Sequence, residues 1–141
     1  MWEERWGLPI VSVDREYLPA GVEGLAWRDA EGAHLGLVTW CVDGARAEIV
    51  SLDALERGRR IGARLMEAAE EELRRRGVRA LRVVTTNDNP RALSFYVRRG
   101  YRLLRLHLDA MDRVRRQKPR VPLTGNDGIA LRDMWELEKE L

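Results

Sequence analysis

The chain has 141 residues, 45% of them hydrophobic and 34% charged, with a formal net charge of +2. That composition excludes a disordered chain, and the length suits one folded domain spanning 1–141, able to bury well over half of its unfolded surface unaided by disulfide or metal. Cys41 is the one cysteine, which excludes a disulfide framework and points to a reducing, cytoplasmic setting. His34 and His107 are the only histidines, too few with one cysteine for a tetrahedral zinc site, so no metal is expected. Apolar runs such as Leu35 to Val42 fall far short of the ~20 residues that cross a bilayer, so no membrane association is expected. The opening Met1 to Trp6 carries acid and lacks an apolar h-region, and so does not read as a signal peptide. Nearly all the cations are arginine, whose guanidinium suits phosphate, although exposed charge is the default use of such residues.

In chain order, Ile10 to Val13 reads as a short strand, Pro19 and Gly21 as a turn, and Val22 to Arg28 as a second strand. Ala30-Glu31-Gly32 is turn-like, and His34 to Val42 is rich in strand formers. Asp43-Gly44 supplies a two-residue hairpin signal, with the return strand from about Ala45 to Leu52. A helix follows from about Arg59 to Arg76, because Ile61, Leu65, Ala69 and Leu73 recur every four residues on one apolar face. Gly77 stops it. Ala80 to Thr86 is a strand, Asn89-Pro90 is an N-cap with proline at the first helical position, and that helix ends near Arg99 before Gly100. Tyr101 to Leu108 reads as a strand, Asp109 to Gln117 as a helix, and Lys118 to Gly128 as loop. The last segment, from Leu131 on, fits either helix or strand. Strands joined by helices in the second half imply crossover connections, and the meander before them makes the sheet mixed and mostly antiparallel. The fold class is α/β, or α+β by some conventions.

The stretch Ile49 to Leu65 runs strand, then an Arg/Gly-rich turn, then an amphipathic helix. Amide hydrogens at a helix start lack partners and carry positive partial charge, and glycines let a ligand approach the backbone, so this arrangement suits a diphosphate. Arg57, Arg59 and Arg60 add charge there. An ordinary surface turn is the plain alternative. Neither G-x-G-x-x-G nor a Gly-Lys-Ser/Thr loop is present.

Arg57 to Gly62 resembles motif A of the GCN5-related N-acetyltransferases, Arg/Gln-x-x-Gly-x-Gly/Ala, with Arg57 at its first position and Gly62 at its last. Arg60 stands where that family carries its middle glycine, and in helical conformation it would still offer its N–H. Leu55 also departs from the commoner turn residue. Asn89 to Tyr101 is similar to motif B, Asn-x-x-Ala-x-x-x-Tyr-x-x-x-Gly-Phe/Tyr, with each fixed position filled. The resemblance covers about 35 to 108. Gly125-Asn126-Asp127-Gly128-Ile129 resembles a bacterial subgroup whose last element is a strand, so 133 to 139 is read as a strand.

The resemblance implies a domain of that acyltransferase fold whose N-terminal region, before residue 35, is shortened. It implies acetyl-CoA as cosubstrate and an amine, on a small molecule or a protein, as acceptor. Arg57, Gly58, Arg59, Arg60, Ile61, Gly62 and Ala63 would hold the diphosphate, while Val50, Ser51 and Leu52 would pair with the pantetheine through backbone groups. One N–H of that strand would polarise the thioester carbonyl. Asn89 would cap its helix, bind the pantetheine arm, or do both, with Ala92 beside it and Arg99 reaching toward the adenosine phosphates. Tyr96 would protonate the leaving thiolate, against the alternative of a half-buried aromatic. Glu48 would be the general base, against the alternative of a solvated strand carboxylate. Direct transfer leaves Cys41 to packing. Trp2 and Trp6 fit a helical turn packed on the body, with a homodimer contact as the alternative. Between the first strand, about 10 to 13, and the second, about 22 to 28, there is room for only a turn or short coil where the family usually has one or two helices, and their near absence implies an open acceptor site, or one completed by 109 to 128 or by a second subunit. Two other classes stay in view: a non-catalytic domain of the same fold that senses or assembles around acyl-CoA, and a small nucleic-acid-binding module. The near-neutral charge and the lack of an aromatic platform weigh against nucleic acid.

Overall fold

The computed structural model of the protein describes residues 10–13, 15–54 and 60–141. Among the described residues eight strands and three α-helices follow one another as β1 (Ile10–Ser12), β2 (Arg15–Tyr17), β3 (Glu23–Arg28), β4 (His34–Asp43), β5 (Arg46–Ala54), α1 (Ile61–Arg75), β6 (Ala80–Thr86), α2 (Pro90–Arg98), β7 (Arg102–His107), α3 (Ala110–Gln117) and β8 (Met134–Glu140). β1 and β2 form a small two-stranded sheet; the other six strands pair in the order β3-β4-β5-β6-β8-β7. β3, β4 and β5 pair antiparallel, as do β7 and β8. The sheet is mixed with helices and mostly antiparallel, as expected. The tail is a strand, β8, in agreement with the reading of 133 to 139. No described helix is long and apolar enough to cross a membrane.

Two compact units divide the chain, one centred on Glu16–Leu81 and one on Arg82–Lys139. In the first, Ile61, Leu65, Ala69 and Leu73 line the buried face of α1, joined by Ala63 and Met66. Val38, Trp40 and Ile49 are buried in β4 and β5. Arg76, just past the helix, clasps Glu23 of β3 with two hydrogen bonds of 2.7 and 3.0 Å. Both groups are well exposed, so the pair adds little to stability. In the second unit, Met111 and Val114 of α3 pack with Leu131 and Met134, and Val11, Val13 and Val84 close around them.

The structure corrects three expectations. The β4–β5 hairpin turns on Gly44-Ala45, not Asp43-Gly44, because Asp43 already pairs with Arg46. Gly44 has φ +62, the left-handed value that a glycine-first two-residue hairpin needs. β5 runs on to Ala54, two residues beyond the expected end. β2 was not anticipated: its three residues, Arg-Glu-Tyr, carry no alternating pattern long enough to register.

α1 comes very close to the sheet at Gly36. A Cβ there would stand 2.8 Å from each of Asp53 O, Ile61 Cγ2 and Leu65 Cδ1. Backbone and helix both occupy that space, so neither can swing aside. Gly36→Ala is expected to lower unfolding stability by about 1–3 kcal/mol, the usual range for overpacking, measured as a shift in the urea midpoint without a change in slope.

Candidate functional site

β5 carries an extra residue. Thr39 is paired with Ser51 but Trp40 with Ile49, so Val50 has no partner on β4. Such a bulge releases the backbone of the extra residue from the ladder and shifts the alternation of side chains. Cross-strand partners share a face. Gly36 points at α1, so Val38 and Trp40 do too, and so do their partners Leu52 and Ile49. The opposite face carries Thr39 with Ser51, Cys41 with Glu48, and Leu37 with Asp53. An uninterrupted strand would set Glu48 and Ser51 on opposite faces. The bulge brings Glu48, Ser51 and Asp53 onto one.

All three are buried, at 4%, 5% and 1% exposure. Glu48 is therefore not the solvated strand carboxylate of the alternative reading. Ser51 Oγ lies 2.6 Å from Thr39 Oγ1, which ties its hydroxyl to the neighbouring strand. Val50 and Leu52 are half-buried.

At the start of α1, Arg60 is the N-cap, with φ 54 and ψ 30. This corrects the expectation that Arg60 is helical: the helix begins at Ile61 and Arg60 is left-handed. The glycine of the family motif suits this backbone, and arginine holds it at a cost. Arg60 makes no side-chain cap, and its carbonyl accepts the Arg64 N–H at 3.0 Å. The amides of Ile61, Gly62 and Ala63 precede that first bond and have no partner within the helix. Ile61 and Ala63 are buried, Gly62 is half-buried and Arg60 exposed. Arg57, Gly58, Arg59 and Leu55 lie outside the described residues, as do Trp2 and Trp6.

In the second unit, Asn89 caps α2: its Oδ1 accepts the Ala92 N–H at 3.1 Å. That commits the Ala92 amide as well, and leaves Asn89 its Nδ2 donors. Tyr96 is buried on α2, edge-on to Tyr101 and Phe95 at 5.5 and 5.2 Å between ring centres. Burial pushes its phenol up to about 12, so it holds its proton at neutral pH. The Arg99 guanidinium stacks over the Phe95 ring at 4.2 Å. Among the described residues no group of three or more His, Cys, Asp or Glu side chains could hold a metal ion.

Two residues that sequence reasoning missed stand between β6 and α2. Asn87 Oδ1 accepts the N–H groups of Arg132 and Asp133, both at 3.0 Å, and its Nδ2 donates to Ala130 O at 2.8 Å. Asp88, 5% exposed, accepts the Asn126 N–H at 2.9 Å, Asn126 Nδ2 at 3.1 Å and the Thr86 hydroxyl at 2.5 Å. Gly125 has no room for a Cβ beside the Asp88 carboxylate. The signal was available as a run of three hydrogen-bonding side chains, Asn87-Asp88-Asn89, between strand and helix.

Two predictions test this geometry. Arg60→Gly removes a left-handed side chain but loosens the unfolded chain, for a net gain of about 0.5–1 kcal/mol in the urea-derived unfolding free energy. The second concerns Tyr96, whose folded pKa of about 12 lies above its ordinary 10.0. Below about pH 10 the phenol is neutral in both states, whereas between about 10 and 12 only the unfolded chain gives up the proton. Stability should fall as pH rises through that window, and Tyr96→Phe should flatten the fall in denaturation curves collected across it.

The sequence profile of the acetyltransferase (GNAT) family matches residues 3–101. The uncharacterized protein YxbD of Bacillus subtilis (strain 168) is 36% identical over 141 residues, covering 99% of this chain and 89% of that protein. Among solved structures, an IAA acetyltransferase from Bacillus cereus ATCC 14579 superposes with a TM-score of 0.75 at 24% identity, covering 86% of this chain and 79% of its own. A GNAT family acetyltransferase from Elizabethkingia anophelis with acetyl-CoA bound gives 0.76 at 18% identity, covering 86% and 78%. Motif, fold and relatives agree: the chain belongs to the acetyltransferase (GNAT) family.

Proposed function

We propose that this protein transfers an acetyl group from acetyl-CoA to a primary amine by direct attack on the thioester. The observation that carries the proposal is the start of α1, where uncapped amides of Ile61, Gly62 and Ala63 follow a left-handed Arg60. Amides so placed, at the positive end of a helix, hold a diphosphate. Arg57, Gly58, Arg59 and the Arg60 side chain complete that grip in this reading. Val50, the bulged residue, together with Ser51 and Leu52, offers backbone groups to the pantetheine and an N–H to the thioester carbonyl. Asn89 donates through Nδ2 to a carbonyl of the same arm, Ala92 lies beside it, and Arg99 serves the adenosine phosphates.

In the reaction the amine nitrogen bonds to the carbonyl carbon, the carbon–sulfur bond breaks, and the amine loses a proton. Glu48 is the base we assign, directly or through water. Tyr96 is the residue we assign to the leaving thiolate. A thiol has a pKa of about 8.5, well below that of a phenol at about 12, so full transfer from Tyr96 is uphill. Tyr96 therefore stabilises the thiolate as a hydrogen-bond donor. The acceptor, on a small molecule or a protein, enters a site left open by the shortened region before β4. The single cysteine supports a reducing, cytoplasmic setting.

The test mixes the protein with acetyl-CoA and a panel of amines and follows free thiol release. Turnover on at least one amine is expected, reduced about 10²–10³-fold in Tyr96→Phe, the usual range for loss of one hydrogen-bond donor to a developing anion. Calorimetric binding of coenzyme A with no release on any amine would instead favour the sensor reading, which the Arg60 departure keeps in view.

A further inference from the structure

β7 ends the six-stranded sheet, and among the described residues no strand pairs with its outer edge. That edge is unusually apolar: Leu103, Leu104 and Leu106 are 51%, 47% and 56% exposed, and Val97, on the helix α2 that packs against β7, is 52% exposed. Register with β8 sorts the strand into two faces. Leu103 stands opposite Leu137 and Leu106 opposite Trp135, while Arg102 stands opposite Glu138 and Arg105 opposite Glu136. Leu104 is an extra residue with no partner on β8. The bulge therefore sets Leu103 and Leu106 on one face and the two arginines on the other.

We infer that the outer edge of β7 takes an extended segment of another protein, one that alternates acidic and apolar residues. The argument is charge complementarity. β8 shows what this strand accepts on its inner side: glutamates opposite the arginines, and leucine and tryptophan opposite the leucines. A strand on the outer side meets the same side chains. A second copy of β7 does not fit. Laid antiparallel about the strand's centre, it sets Arg102 opposite His107 and brings the two Arg105 side chains diagonal to each other, a repulsive arrangement. Arginine and bulge thus guard the edge against its own kind while the leucines remain uncovered. A partner strand hydrogen-bonds along the edge, gains specificity from alternate side chains, and covers Leu104 and Val97.

The probe is a fluorescent peptide with the sequence of Asp133–Leu141, followed by anisotropy with the full chain. Saturable binding is expected, weakened about tenfold or more between 0.05 and 0.5 M salt as the ionic contacts are screened. Glutamine in place of both glutamates matching Glu136 and Glu138 should weaken the peptide similarly. Leu104→Asp and Val97→Asp, which leave the β8 ladder untouched, should each weaken binding about tenfold or more with the far-ultraviolet spectrum unchanged. Absence of binding overturns the inference. So does binding indifferent to both variants, which would mean exchange with β8. A wild-type dimer in sedimentation that Leu104→Asp disperses would also overturn it, by assigning the edge to a second copy.

Discussion

The first half of the site depends on one close approach, that of α1 to β4 over Gly36. Without a side chain at that position, the carbonyl of Asp53 and the side chains of Ile61 and Leu65 converge on the same few ångströms. The end of β5 and the first turn of α1 are thereby fixed against one another. Arg60, the residue before that first turn, is left-handed. The strain is local and the site gains from it: a left-handed N-cap without a side-chain oxygen leaves the first amides of α1 available for an anion.

The bulge at Val50 acts on the same strand in a different way. It does not open a cavity; it changes which residues share a face. Ile49 and Leu52 both pack toward α1, and three polar residues, Glu48, Ser51 and Asp53, turn together to the other side. The role proposed for Glu48 thus falls to a carboxylate that is buried. Residues packed toward α1 and polar side chains are thus separated onto two faces within a strand of nine residues.

Much of this was legible in the sequence where the signal is periodic or rests on a fixed spacing. α1 announced itself through apolar residues four apart, α2 through an Asn-Pro start and a terminal glycine, and β6 through its run of strand formers, Val83, Val84, Thr85 and Thr86. What was not legible is set by tertiary structure. A bulge adds one residue to a ladder whose register the sequence does not print, so the shared face of Glu48 and Ser51 was out of reach. Arginine has no preference of its own for the left-handed backbone found at position 60. Asn87 and Asp88 bond to residues 38 to 46 positions away, a range over which propensity carries no information.

Those two residues also settle what Asn89 can do. The three consecutive polar side chains after β6 divide their work by direction. Asn87 and Asp88 turn to the segment 125–133 and are engaged by it, Asp88 accepting from three donors. Asn89 alone turns into α2, and there its carbonyl oxygen is committed to the Ala92 amide. The backbone N–H fixes which atom is oxygen, so the free end of the side chain is the Nδ2 donor. Capping and ligand binding are therefore compatible in one residue, provided the ligand supplies a carbonyl. An aspartate there would keep the cap and lose the donor, and a serine would cap the helix without reaching past it. Asparagine is the side chain that does both.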